Sequence, residues 1–207
     1  MNESNRISLD PSALSQKDCY RLLIGSVVPR PIALVSTISP EGVNNLAPFS
    51  SYNLVSSKPT CISFSIANDQ EQKTKDTLRN LRSLPELTVN SAQLELLEQV
   101  ALAGYNFDST VSEFNETKLS PLASSLVRPF CVAESLIQME CRLYKMLEIG
   151  DGGVGSATLI VAEVLRFHLA EQVYKDGRIN HEQLAALSRL GGSLYAEVGK
   201  VHQSKRK

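Results

Sequence analysis

A chain of 207 residues, 43% hydrophobic and 21% charged, is long enough to bury one sizeable core and does not require a second domain. Its formal net charge of −1 gives no electrostatic reason to expect nucleic acid or an anionic membrane as a partner. No apolar run approaches bilayer length, and "MNESNRISLDPS" lacks the pattern of a secretory signal, so a cytoplasmic location is expected.

In chain order, Ser15 is placed to cap a helix through "QKDCYRLLIGSV", where Tyr20, Leu23, Ile24 and Val27 recur at helical spacing. Pro29 and Pro31 end it, and "PIALVSTI" follows as a strand rich in β-branched residues. "SPEG" is a turn, followed by strands near Val43 to Leu46, Phe49 to Leu54 and Thr60 to Ile66. "DQEQKTKDTLRNLRSLPE" reads as a polar loop running into a short amphipathic helix, with Leu78, Leu81 and Leu84 facing inward and Asp76 or Thr77 near its start. "LTVNSA" is a strand, and "QLELLEQVALAG" is a helix closed by Gly104. Residues 105–130 form a long, mostly irregular loop. "AESLIQMECRLYKMLEIG" and "ATLIVAEVLRFHLA" are long strands joined by "DGGVG". A last helix, "NHEQLAALSRL", ends at Gly191 and Gly192.

This succession of antiparallel strands with short helices appended gives a mainly β, broadly α+β, fold built on a small closed barrel. Cys19, Cys61, Cys131 and Cys141 have no C-x-x-C spacing and read as reduced core residues. His168, His181 and His202 are too scattered for a metal site, so none is expected. The basic tail "KVHQSKRK" reads as a solvated terminus.

Three stretches carry chemistry. In "PFSSYN", Ser50 and Ser51 are adjacent, so on a strand their side chains point to opposite faces. Neutral hydroxyls and amides suit the O and N edge of a heteroaromatic ring, and equally suit a bulge or turn that satisfies backbone groups. In "KTKDTLRN", Lys75, Thr77 and a helix's first N–H groups make an anion site or a solvated cap. In "SRLGGSLY", Arg189 falls in the last turn of the expected helix, Gly191 and Gly192 permit close backbone approach to a planar ligand, and Tyr195 is free to stack or pack. Neither a dinucleotide-binding glycine motif nor a phosphate-binding P-loop is present.

Taken in order, "VVPRPIALVST", "GVNNLAPFS", "KDTLRN", "VNS", "VRPFCVAES", "MECRL", "RFH" and "GRI" with "LSRLGGSLYA" resemble the flavin reductase-like FMN-binding split barrels. The nearest branch is that of flavoredoxin and the reductase components of nitrilotriacetate-type monooxygenases. The resemblance runs from about Tyr20 to Ala196 and implies one antiparallel split-barrel domain over residues 1–207, with an N-terminal helix and a C-terminal helix and loop.

It further implies that Ser36 and Thr37 contact the flavin or its ribityl phosphate, and that Pro48, Phe49, Ser50 and Ser51 border the isoalloxazine ring and ribityl chain. Lys75 and Thr77 would hold the phosphate, with Asp76 shaping the turn. Arg189 and Tyr195 would come from the C-terminal loop, across a homodimer interface. Asn53, Asn80 and Arg30 are open between flavin contact and structural support. The implied activity is hydride transfer from NADH or NADPH to FMN, with reduced flavin or electrons passing to a partner monooxygenase or another acceptor. Such chemistry belongs to the cofactor, and no catalytic side chain is assigned. A flavoprotein electron carrier and a non-catalytic FMN-binding module share the same fold and stand as alternatives.

Overall fold

The computed structural model describes residues 5–68 and 74–205, so the opening of the polar loop at 69–73 lies outside the described residues. Within them, β1 (Ala33–Ile38), β2 (Asn44–Phe49), β3 (Asn53–Ser57), β4 (Thr60–Ala67), β5 (Glu86–Ser91), β6 (Ile137–Ile149) and β7 (Ala157–Leu169) form one sheet. Its order is β2-β1-β5-β6-β7-β4-β3, antiparallel at every step. The sheet curls far enough for Phe49 of β2 to meet Phe64 of β4 at 5.0 Å between ring centroids. The helices are α1 (Gln16–Ser26), α2 (Asp76–Ser83), α3 (Leu97–Leu102), α4 (Glu113–Thr117) and α5 (His181–Leu184). The expected mainly β, antiparallel architecture with helices appended is therefore present.

Strand β1 is buried on both faces and separates two apolar clusters. Ala33 and Val35 join Phe64, Leu78, Leu81 and Ile160 on one side. Leu34 joins Leu46, Val100, Phe114 and Leu187 on the other. Alternation at period two sends successive β1 residues to opposite cores. The inward stripe of α2 is as expected, with Leu78, Leu81 and Leu84 all buried.

Three expectations need correction. The strand expected at Phe49 to Leu54 is not formed: β2 continues through Pro48 to Phe49, and the chain bends at residues 50–51 before β3 begins. Pro48 is tolerated because β2 is an edge strand and its missing N–H breaks no ladder. The last helix stops at Leu184, with Ala185 left-handed at φ 43°, and Leu187–Arg189 is a strand. That strand pairs with Arg30–Pro31 and Tyr195–Glu197, and long-range pairing outweighs the local helix propensity of "LAALSRL". Helix α1 is present and Ser15 caps it as expected, with Tyr20, Leu23 and Val27 more than half exposed. Cys19 is only partly covered, unlike the buried Cys61, Cys131 and Cys141, and all four are free.

Arg30 proves to be a clamp. Its guanidinium donates to the carbonyls of Ile24 (2.6 Å) and Val27 (2.8 Å) at the end of α1, and to that of Leu190 (2.7 Å). The long loop at 105–130 contains α4 and is fastened to the sheet by Glu140 of β6. The Glu140 carboxylate is fully buried and accepts from the N–H groups of Ser125 (3.0 Å), Leu126 (2.5 Å) and Val127 (3.1 Å), the Ser125 hydroxyl (2.7 Å) and His168 Nε2 (2.6 Å).

Candidate functional site

A cavity of about 740 Å³ opens between β2, the start of α2 and the segment from Ala103 to Glu113. From β2 come Asn45, Ala47, Pro48 and Phe49; from the α2 entrance come Thr74, Lys75, Asp76, Thr77 and Arg79. Helix α2 begins here with Lys75 in the capping position and no side-chain cap among the described residues, and the N–H groups of its first turn belong to Asp76 and Thr77, which line the cavity. Those donors, the positive end of the helix dipole and the Lys75 ammonium are together suited to an anion. Lys75 Nζ donates to Asn106 Oδ1 at 2.7 Å, and Arg79 pairs with Asp76 at 2.6 Å.

Beneath this entrance lies a buried amide–hydroxyl network. Thr37 Oγ1 accepts from Asn45 Nδ2 (3.2 Å) and Asn80 Nδ2 (3.1 Å), while Asn45 Nδ2 also donates to Thr77 Oγ1 (3.0 Å). The network ties β1 and β2 to α2 and so fixes where the helix start points. Thr37→Val is expected to cost about 2 kcal/mol in urea unfolding, since it strips an acceptor from two buried amides. A variant as stable as the parent would show that the network does not hold α2.

Glu113, at the start of α4, lines the same cavity while 6% exposed, and its Oε2 accepts the Leu46 N–H at 2.8 Å. Burial pushes its carboxyl upward, the hydrogen bonds from Leu46 and from its own N–H oppose that, and the Asp76 charge adds to the rise.

A second cavity of about 300 Å³ adjoins the first and shares Pro48, Gly104 and Tyr105 with it. Its floor is Ile32 and Val100, and its rim includes Ser50, Arg189 and Tyr195. Arg189 and Tyr195 are cross-strand partners, and the guanidinium carbon lies 4.3 Å from the tyrosine ring centroid. A Cβ at Gly104 would stand 3.2 Å from the Ala101 carbonyl and 3.4 Å from Pro48 Cγ, so a side chain here would crowd the junction.

The candidate residues from the sequence thus divide. Pro48, Phe49, Lys75, Asp76 and Thr77 line the larger cavity; Pro48, Ser50, Arg189 and Tyr195 line the smaller. Ser36 and Thr37 are wholly buried and line neither, and the Ser36 hydroxyl has no hydrogen-bond partner among the described residues. Ser51 Oγ bridges the N–H and carbonyl of Ser65, both at 3.0 Å, as a bend residue does. Asn53 Oδ1 accepts the Leu54 N–H. Sequence reasoning missed Arg79, Glu113 and the segment "AGYNFDS", whose clustered aromatic, amide and carboxylate side chains in an irregular loop were the available signal.

Residues 24–184 match the family model described as a flavin reductase like domain. The chain belongs to the flavin reductase-like family. An uncharacterized Bacillus subtilis protein, YwrF, is 39% identical over 189 residues, covering 90% of this chain and 92% of its own. The crystal structure of nitrilotriacetate monooxygenase component B from Bacillus cereus superposes on this flavin reductase-like chain with a TM-score of 0.92 at 34% identity, over 96% and 98% of the two chains. A split-barrel protein from Shewanella frigidimarina superposes at a TM-score of 0.82 and 18% identity, over 98% and 100%. The sheet described above is thus the split barrel of flavin reductase-like proteins, and no helix among the described residues is long and apolar enough to cross a membrane.

Proposed function

We propose that this chain is a cytoplasmic FMN-binding flavoprotein acting as an NAD(P)H-dependent flavin reductase, a single domain over its whole length. The observation that carries the reading is the pairing, at one end of a 740 Å³ cavity, of Lys75 with the start of α2. That donor set fits a phosphate monoester, and the neutral Pro48 and Phe49 walls fit the remainder of a flavin mononucleotide. When bound, the flavin supplies two-electron redox chemistry that no side chain provides.

The chain's own residues hold and orient. Lys75 and the N–H groups of Asp76 and Thr77 receive the phosphate, and Asp76 keeps Arg79 fixed beside it. Pro48 and Phe49 flank the ring, with Ser50, Arg189 and Tyr195 beyond its edge, across the junction with the smaller cavity. Thr37 and Ser51 act as supports, Thr37 by orienting Asn45 and Asn80 and Ser51 by pinning the bend to β4.

NADH or NADPH is the proposed donor, and a partner monooxygenase or another electron carrier the proposed acceptor. Similarity to a monooxygenase component supports the former. A homodimer is also proposed, supported by apolar side chains left exposed on α1 and at Leu54 of β3, which is 80% exposed.

The test is the visible spectrum of the protein with FMN, followed anaerobically by NADH and then NADPH. Bound flavin bands that bleach with either nucleotide are expected and name the donor. Bands that persist with both and bleach with dithionite favour the electron carrier or the non-catalytic module. Absence of bound flavin removes the whole reading.

A further inference from the structure

We propose that the smaller cavity is a subsite for a compact aromatic carboxylate, with Arg189 pairing the carboxylate and Ile32, Val100 and Pro48 receiving the ring. The proposal rests on the flavin reading of the larger cavity, because the open junction is what makes this ligand a neighbour of the cofactor.

Size and lining select the class. At about 300 Å³ the chamber lies at the lower end of small-molecule sites, which suits a single ring rather than a dinucleotide. Its floor is apolar, formed by the buried Val100 and Ile32. Arg189 is the sole charged residue of its lining among the described residues, so a bound anion meets a cation and no opposing carboxylate.

The guanidinium is also held in place. One face lies on the Tyr195 ring at 4.3 Å, and Nη2 donates to the Gly192 carbonyl at 2.5 Å. A planar fork fixed in this way matches the two oxygens of a carboxylate. A phosphate would find no second cation here, whereas the larger cavity offers both Lys75 and a helix start. A neutral carboxamide would leave the guanidinium uncompensated. Tyr105, 68% exposed and shared by both cavities, stands where a bound ring would gain a stacking partner.

The test is calorimetric titration of the FMN-loaded protein with benzoate and, separately, benzamide. Benzoate is expected to bind saturably, to perturb the visible flavin bands, and to bind about tenfold or more tightly than benzamide. Arg189→Met should weaken benzoate by a similar factor, and Arg189→Lys should recover part of it, since charge remains but the fork is lost. Ala101→Leu narrows the chamber from α3 with a good helix former and should also expel benzoate, which keeps the test valid if the Arg189 variants fold poorly. Equal binding of benzoate and benzamide, or benzoate binding indifferent to both Arg189→Met and Ala101→Leu, would overturn the proposal. If the protein binds no FMN, the flavin reading fails separately. The same titration on flavin-free protein then judges the chamber alone: Arg189-dependent benzoate binding upholds it, and no binding ends it.

Discussion

Exchanging Glu140 for glutamine is expected to lower the unfolding free energy by about 3–5 kcal/mol, the usual cost of breaking a buried, fully hydrogen-bonded charge. The carboxylate collects three backbone N–H groups, a serine hydroxyl and the His168 ring in a site with no solvent exposure. An amide of the same shape presents one oxygen and turns its NH2 toward donors that need an acceptor. The fall should appear in urea unfolding as a lower midpoint with unchanged slope. Parental stability in this variant would mean that the 124–128 segment is held by something else.

The same carboxylate sets an acid dependence. Burial alone would raise its pKa, but the Ser125 N–H, His168, the Ser125 hydroxyl and the Leu126 N–H outweigh burial and bring it to about 2. A folded value below the unfolded one gives stability that is full above the ordinary value of 4.5 and is lost as pH falls through about 2. Between those limits the parent should lose stability that Glu140→Gln no longer has to lose.

The second large effect is on binding. Lys75→Ala is expected to weaken FMN by about 10- to 100-fold, the worth of one charge-assisted hydrogen bond of about 1.5–3 kcal/mol. Stability should change little, because Lys75 borders a cavity and its substitution removes no packed core. Raising the salt concentration should shrink the difference between parent and variant, since the contact is ionic. Thr77→Val would not make so clean a test, because Thr77 also accepts from Asn45 inside the network.

What the sequence revealed of this fold follows from which forces are local. Richness in β-branched residues marked β1, and the leucine stripe marked α2, because both signals are carried by residues close together in the chain. The end of α5 was hidden because Ala185 takes a left-handed conformation that alanine does not advertise, and because the Arg30–Arg189 pairing spans most of the chain. Helix α1 shows the opposite limit: periodicity identifies an apolar face without saying what covers it.

The candidate site was legible in its charges and less so in its hydroxyls. Lys75, Asp76 and Arg189 do reach the cavities, as the charge beside a helix start and the cation beside a glycine pair suggested. The polar residues of the first hairpins had a more domestic explanation. Ser51 serves Ser65, Ser56 accepts from the Lys58 N–H, and Asn53 accepts from Leu54, each satisfying backbone at a bend or turn. Asn45 and Ser50 line cavities, while Glu113 and Asn106 were overlooked because the segment that carries them has no periodicity to read.

The central claim is that the start of α2, with Lys75 beside it, receives the phosphate of a flavin mononucleotide. Parallel calorimetric titrations with FMN and riboflavin, which differ only in that phosphate, test it most directly. The account predicts FMN binding at least about tenfold tighter than riboflavin at low salt, the gap expected from one or more charge-assisted contacts. Equal affinities would contradict it, returning Lys75 and the α2 entrance to the role of an ordinary solvated helix cap.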